Sequence, residues 1–285
     1  MAKGNLLLGT AKNSVGDVVM YRREGAQISR VRVRTIKNPK TDAQSFQRAI
    51  MAPIAKFYSP LSVVLERSFE GLSKAKSHNK FNQVNANLAR QNKWALPKGT
   101  GFCPLPYQLS EGTMPAVSYD GSGMLNINIS NITEGIETIG AISAALIAAG
   151  YKKGDVITIL AVTSDNTGDF PANYVPYTYQ FEVNEEDTTT LATFFGARTT
   201  FNISAGKISI SSVNGFEVEA GAVIVSRFDG SMWRRSKQFL HVNPGLMETI
   251  APDAFVAAAI ASYGQTAGDG NPLVYLDGDE LTEGQ

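Results

Sequence analysis

The run Asp155-Val-Ile-Thr-Ile-Leu-Ala-Val162 and the later run Ala222-Val-Ile-Val-Ser-Arg-Phe228 stand out in the second half of the chain. Both are rich in β-branched residues, which favour the pleated surface of a sheet. Around them lie clusters such as Asp120-Gly-Ser-Gly123 and Asp165-Asn-Thr-Gly-Asp169. Clusters of Asp, Asn, Gly and Ser between apolar runs form turns. The C-terminal half is therefore predicted to consist mainly of short β-strands.

The predicted strands share this composition and are Met114–Tyr119, Met124–Ile129, Asp155–Val162, Tyr177–Val183, Lys207–Ser212, Ala222–Phe228 and Trp233–Val242. Short strands at irregular spacing, separated by turns, are typical of a β-sandwich. Two helices are predicted beside the strands. The first, Glu137–Ala149, is followed by Gly150, and the second is the Ala-rich segment Asp253–Tyr263, followed by Gly264. The predicted fold class is α+β, with a dominant β-sandwich in residues 110–285.

The charges are divided unevenly along the chain, although the formal net charge is zero. The first 100 residues hold 18 Lys and Arg against 5 Asp and Glu, and the remaining 185 hold 8 against 21. Such asymmetry predicts an acidic partner for the basic part, which is nucleic acid, a membrane surface or an acidic protein face.

A segment rich in proline and glycine lies where the charge changes sign. Three prolines and two glycines fall between Trp94 and Ser110, a density that neither a helix nor a central strand tolerates. The sequence therefore predicts a basic domain at 1–95, a linker at 96–109 and an acidic domain at 110–285. The alternative is a long loop inside one domain.

A basic β-hairpin is predicted between Val15 and Thr35, with its turn at Glu24–Gln27. Side chains alternate along a strand, so Arg30, Arg32 and Arg34 share one face and the intervening valines share the other. Three interpretations stay open: contact with nucleic acid, contact with an acidic protein face, and simple solvation. The candidate partner-binding residues are Arg22, Arg23, Arg30, Arg32, Arg34, Lys37 and Lys40.

Two helices are predicted after the hairpin, so that the basic domain is a small unit of a hairpin plus helices. Thr41-Asp-Ala-Gln44 matches a capping box, in which the hydroxyl and the amide satisfy backbone groups at a helix start. The apolar stripe that follows is Phe46, Ile50, Ile54, Phe57, Leu61 and Val64, and Pro53 and Pro60 are expected to kink or break this helix. The second helix is predicted over Lys80–Lys93.

The sequence offers little for catalysis, metals or membranes. Cys103 is the only cysteine, the two histidines are His78 and His241, and no phosphate-binding or dinucleotide-binding glycine motif occurs. Calcium binding at Asp165–Asp169 or Asp277–Glu280 is an alternative to plain turns. No signal peptide and no membrane span are expected, because the apolar runs are too short. We therefore expect no enzyme activity, no cofactor and no metal.

The opening of the chain contains Gly-Asn-Leu-Leu-Leu-Gly9, Val15-Gly-Asp-Val-Val-Met-Tyr-Arg-Arg23, Arg30-Val-Arg-Val-Arg34 and Asn38-Pro-Lys-Thr-Asp-Ala-Gln-Ser-Phe-Gln-Arg48. This combination resembles a family of Bacteroidota proteins and proteins of their bacteriophages, described only as a domain of unknown function. The resemblance covers roughly the first 70 residues. It implies a β-rich, immunoglobulin-like C-terminal domain and an intracellular or virion-associated protein, with no catalytic residues to transfer.

Two classes of function follow from these features. The charge asymmetry and the resemblance favour a structural or assembly protein of a bacteriophage particle, present in many copies, whose basic N-terminal region contacts DNA or an acidic virion protein. Such a protein is expected in the virion or the host cytoplasm. The alternative is a bacterial binding or adhesion module that uses an immunoglobulin-like domain.

Overall fold

The structure is a computed structural model that describes residues 13–15, 17–23, 26–33, 35, 41–91, 102–120, 125–129, 132, 137–164, 174–204 and 206–243. The chain divides into two compact units, Met1–Lys40 and Thr41–Gln285. We call them the N-terminal unit and the C-terminal unit. This division lies well before the predicted linker at 96–109.

The N-terminal unit contains a three-stranded antiparallel sheet in the order β1-β2-β3. Its strands are β1 (Asn13–Val15), β2 (Val18–Arg23) and β3 (Ala26–Val31). Strands β2 and β3 form the predicted hairpin, with Val18 opposite Val31 and Arg23 opposite Ala26. Val15, predicted as the start of the first hairpin strand, belongs instead to β1, which pairs with β2.

The C-terminal unit begins with two helices, α1 (Asp42–Tyr58) and α2 (Lys74–Gln91). Thr41 caps α1 as predicted, because its side-chain hydroxyl accepts a hydrogen bond from the Gln44 backbone N–H. Pro53 lies inside α1 without ending it, and the helix stops two residues before Pro60. Helix α2 starts six residues before its predicted beginning, and its first three residues, Lys74, Ala75 and Lys76, have good helix propensity.

Nine described strands of the C-terminal unit form one antiparallel sheet, whose two parts, here called the first sheet and the second sheet, join at the hairpin of residues 207–228. The first sheet contains β5 (Ser118–Asp120), β6 (Leu125–Asn128), β9 (Thr199–Ser204) and β10 (Lys207–Val213). The second contains β7 (Val156–Ser164), β8 (Tyr174–Glu182), β11 (Phe216–Phe228), β12 (Trp233–Arg235) and β14 (His241–Val242). The result is a β-rich α+β protein with a sandwich-like arrangement of antiparallel sheets.

The second sheet is covered on both faces. From β7, Leu160 and Val162 pack with the helices α1 and α2, whereas Ile157 and Ile159 pack with the first sheet. Strand β11 behaves in the same way, with Ile224 on the helical side and Val225 on the other. This explains why both runs are almost continuously apolar, since a strand with two buried faces has no polar side.

The segment predicted as a linker contributes to the core on the helical side. Phe102, Leu105 and Tyr107 are buried there, and the Phe102 and Tyr107 rings lie 4.7 and 4.4 Å from the ring of Phe57 in α1. Strand β4 (Gln108–Ser110) then pairs with β13 (Gln238–Phe239). Residues 102–107, which include Pro104 and Pro106, form neither helix nor strand and are nevertheless mostly buried.

Helix α3 (Ile139–Ala148) matches the predicted helix closely and is capped by Thr138. Gly150 adopts a φ of 100°, a left-handed conformation that favours glycine after a helix. The short helix α4 (Leu191–Phe195) and the strands β4 and β9 were not predicted. The predicted strand Trp233–Val242 is divided into β12, β13 and β14, and the predicted helix Asp253–Tyr263 lies outside the described residues.

Candidate acidic-partner interface

Strand β3 places two of the predicted arginines on one face of the N-terminal sheet. Arg30 lies opposite Val19, and the Arg32 backbone N–H donates to the Asp17 carbonyl oxygen at 2.6 Å, which continues the same pairing beyond the strand end. Two residues along a strand advance about 6.7 Å and return to the same face. The arginine positions 30 and 32 therefore form a short row, and both side chains are exposed.

An aromatic ring lies beside this row. The Arg30 guanidinium carbon is 5.7 Å from the centroid of the Tyr21 ring, within the range of a cation–π contact. Tyr21 is 38% exposed. An exposed contact of this kind contributes about 0.5–1 kcal/mol and limits the orientations of the guanidinium, which leaves its hydrogen-bond donors available to a partner.

The remaining predicted site residues do not all join this row. Arg22 and Arg23 lie in β2, paired in register with Gln27 and Ala26. Consecutive strand positions belong to opposite faces, so positions 22 and 23 cannot both share the face of Arg30. The predicted residues that lie outside the described part of the chain are Arg34, Lys37 and Lys40.

The valines between the arginines are exposed. The alternation placed the arginines on one face and the valines on the other, and Val31 is 73% exposed and Val33 is 63% exposed. None of the side chains whose burial is described between positions 17 and 35 is buried. The basic sheet therefore presents apolar side chains as well as guanidinium groups to its surroundings.

A second polar cluster, within the C-terminal unit, holds the helical segment to the sandwich. The Glu70 carboxylate accepts hydrogen bonds from the Thr113 backbone N–H at 2.8 Å and from Arg234 Nη1 at 2.9 Å. Burial opposes the charge on Glu70, but these hydrogen bonds and the positive charge of Arg234 outweigh it and lower its pKa. Arg234 also donates from Nε to the Asp229 carboxylate at 2.9 Å. Sequence reasoning missed this cluster, whose only signal is an Arg-Arg pair inside an acidic half.

A buried ion pair joins two neighbouring strands of the second sheet. Asp155, whose side chain is fully buried, accepts two hydrogen bonds from Arg227, at 2.5 Å from Nε and 2.6 Å from Nη2. This fork raises the pKa of Arg227. The Lys152 backbone N–H donates to the same carboxylate at 2.8 Å. A buried carboxylate that is fully occupied by internal donors acts as a structural anchor.

The groups usually examined for catalysis are held in structural contacts. Burial raises the pKa of the Cys103 thiol to about 12, which keeps it protonated and unreactive at neutral pH. The His78 ring packs against Tyr58 with 4.4 Å between ring centroids. Across the described ranges, no three His, Cys, Asp or Glu side chains converge as a metal site would require. The alternative calcium segments, 165–169 and 277–280, lie outside those ranges.

Comparisons of the chain with protein-family models, with curated proteins and with solved structures found no match in any of the three. Within the described part of the chain, no helix combines the length and apolar composition needed to cross a membrane.

Proposed function

We propose that this chain is a non-enzymatic structural protein of a bacteriophage particle, and that its basic N-terminal sheet contacts an acidic protein face. The observation that carries the proposal is the exposed pair Arg30 and Arg32 beside the exposed Val31 and Val33. Guanidinium forks suit carboxylates or phosphates. The valines favour a protein over nucleic acid, because a phosphate backbone offers apolar side chains nothing to pack against.

Charge and resemblance support the same proposal. Residues 1–40 hold nine Lys and Arg against two Asp and Glu, and residues 41–285 hold 17 against 24. Long-range attraction of this kind speeds the association of complementary surfaces and fixes their orientation. The resemblance of the first 70 residues to proteins of Bacteroidota bacteriophages supports a particle as the setting. The immunoglobulin-like character of the sandwich, implied by the same resemblance, is also part of the proposal.

The proposal is tested with the purified full chain and two probes, a synthetic peptide that alternates Glu and Val and a short DNA duplex. The variant R30S/R32S is compared with K152S/K153S, which removes the same charge from two exposed lysines of the C-terminal unit. We expect the arginine variant to bind the peptide at least about tenfold more weakly than the lysine variant. We also expect a weaker dependence of peptide binding on salt concentration.

Equal binding of the peptide by both variants would overturn the proposal. A loss confined to DNA, with a salt slope reduced by about 0.9 for each lost phosphate contact, would identify nucleic acid as the partner instead. Thermal unfolding of each variant checks that the fold is intact. Because all four substituted residues are exposed, we expect the free energy of unfolding to change by no more than about 0.5 kcal/mol.

A binding or adhesion module is the second candidate, and one observation favours it. Phe228 and Trp233 pair across the β11–β12 hairpin with 5.4 Å between ring centroids, and Phe228 and Met232 are exposed. Exposed aromatic groups on a well-ordered turn are common in binding surfaces. This second candidate function is tested by screening the wild type and a Phe228→Ser variant against immobilised glycans. It requires that the wild type binds a glycan and that the variant does not.

A further inference from the structure

The edge of β3 that faces away from β2 pairs with no described strand. In the described sheet β3 is a terminal strand. The hydrogen bond from Arg32 N–H to Asp17 identifies position 32 as one whose backbone groups point toward β2, as do the alternate positions before it. The backbone groups of Ser29 and Val31 therefore point to the open side. An open edge with exposed backbone groups is a template for another strand.

Apolar side chains of the N-terminal sheet are exposed beside this edge. Three short strands are stable when one face is covered by apolar contacts. In this sheet Val31 is 73% exposed and Val33 is 63% exposed, and none of the side chains whose burial is described between positions 17 and 35 is buried. A chain added to the edge of β3 gives the sheet a fourth strand and places an apolar side chain where it can contact Val33.

The side chains of β3 specify what that chain carries. On one face it needs carboxylates two residues apart, opposite Arg30 and Arg32. On the other face it needs an apolar residue near Val33. Symmetric pairing of β3 with β3 of a second copy does not meet this requirement, because an antiparallel pairing centred on Val31 places Arg30 of one copy opposite Arg32 of the other. Like charges directly opposite each other destabilise a sheet.

The C-terminal end of the chain has the required sequence. Residues 244–285 contain seven Asp and Glu and no Lys or Arg. Within them, Leu273-Val-Tyr-Leu-Asp-Gly-Asp-Glu-Leu281 places Asp277 and Asp279 two residues apart, directly after an apolar run. In one antiparallel register, Asp279 lies opposite Arg30, Asp277 opposite Arg32 and Leu276 opposite Val33. The parallel register that pairs the same charges places Glu280 opposite Val33 and is less favourable.

We propose that residues 273–285 of a second copy of this chain bind along the open edge of β3. This inference rests on the proposed function and names its acidic partner. Because the two contacting surfaces differ, the interface is heterologous, and repeating it produces rings or open filaments. Such an interface suits a protein that assembles in many copies.

The test is a charge swap, followed by sedimentation velocity of the full chain over a concentration series. The wild type is expected to associate as its concentration rises. The variants R30D/R32D and D277K/D279K are each expected to associate at least about tenfold more weakly, because each places like charges opposite one another. An equimolar mixture of the two variants, or both pairs of substitutions in one chain, restores opposite charges and is expected to restore association.

The matched control is E185K/E186K, which reverses two exposed carboxylates of the C-terminal unit and is expected to associate like the wild type. The inference is overturned if the wild type sediments as a monomer at every concentration, if D277K/D279K associates normally, or if the swapped pairs fail to restore association. Weak association of R30D/R32D alone, with normal behaviour of D277K/D279K, overturns this inference and leaves the proposed acidic-partner function standing. Peptide binding that is insensitive to Arg30 and Arg32 overturns the proposed function itself.

Discussion

The carboxylate of Glu70 and the guanidinium of Arg234 are hydrogen-bonded at 2.9 Å although 164 residues separate them along the chain. Glu70 follows the first helix, and Arg234 lies in strand β12. The contact passes beside Gly112, where an added Cβ would lie 2.2 Å from the Arg235 carbonyl oxygen and 2.6 Å from the Glu70 carboxylate. The helical segment and the sandwich therefore meet at a close-packed polar junction inside one unit.

We expect Glu70→Gln to lower the free energy of unfolding at pH 7 by about 1–3 kcal/mol, because charge-assisted hydrogen bonds are lost at a largely buried position. The lowered pKa of Glu70 fixes the sign of the pH dependence. Its contribution is complete above its unfolded pKa of about 4.3 and disappears as the pH falls through the lower folded value. The difference between wild type and variant in urea unfolding should therefore vanish in acid. Glu111→Gln, an exposed neighbour, is the control and should change little at any pH.

Thr41→Ala is expected to lower the free energy of unfolding by about 0.5–1 kcal/mol. The Thr41 hydroxyl accepts from the Gln44 N–H at 3.4 Å, a long hydrogen bond, so the cost lies at the weaker end of helix-cap effects. Thr41→Ser keeps the acceptor and is expected to retain most of the stability. If Ala and Ser variants melt at the same temperature, the hydroxyl does not cap α1.

Gly140→Ala is expected to destabilise the protein, although alanine has the higher helix propensity. An added Cβ at position 140 would lie 2.5 Å from the Asp187 carbonyl oxygen and 2.6 Å from that of Glu185, and backbone cannot move aside cheaply. Helix propensity alone predicts that this substitution raises the free energy of unfolding by up to about 1 kcal/mol. The control is Ala144→Gly at an exposed position of the same helix, which should lower the free energy of unfolding by about 1 kcal/mol. Chemical denaturation that shows Gly140→Ala to be stabilising would contradict the close approach.

Two truncations separate the observed division of the chain from the predicted one. Residues 41–285 are expected to unfold cooperatively, because both buried clusters are built from residues of this unit. Residues 110–285 are expected to lose cooperative unfolding, because Leu160, Val162 and Ile224 would lose the cover of the helices and of the 102–109 segment. Calorimetry of both fragments is the measurement. A sharp transition in the shorter fragment would support the predicted division at 96–109.

Local sequence signals were enough to predict much of the secondary structure. The capping hydroxyl of Thr41, the glycine after α3 and the β-branched runs of β7 and β11 each act within a few residues, and the elements appear where these signals lie. Strand β9 and helix α4 were missed, although Thr190 and Gly196 flank the five-residue helix α4 as cap residues. For the candidate site, the alternation placed Arg30 and Arg32 on one face, in agreement with the pairing of β3 with β2, but it did not reveal how exposed Val31 and Val33 are.

The sequence by itself determined the uneven charge, the helix caps and the positions of the main strands, because these depend on composition and on contacts between near neighbours. Only the tertiary structure decided that the second sheet is buried on both faces, that Phe102 and Tyr107 complete a core with Phe57, and that Glu70 meets Arg234. Those contacts join residues far apart in the chain. Their free energy depends on shape and on burial at sites that many separate segments form together, and no local pattern of residue types records that combination.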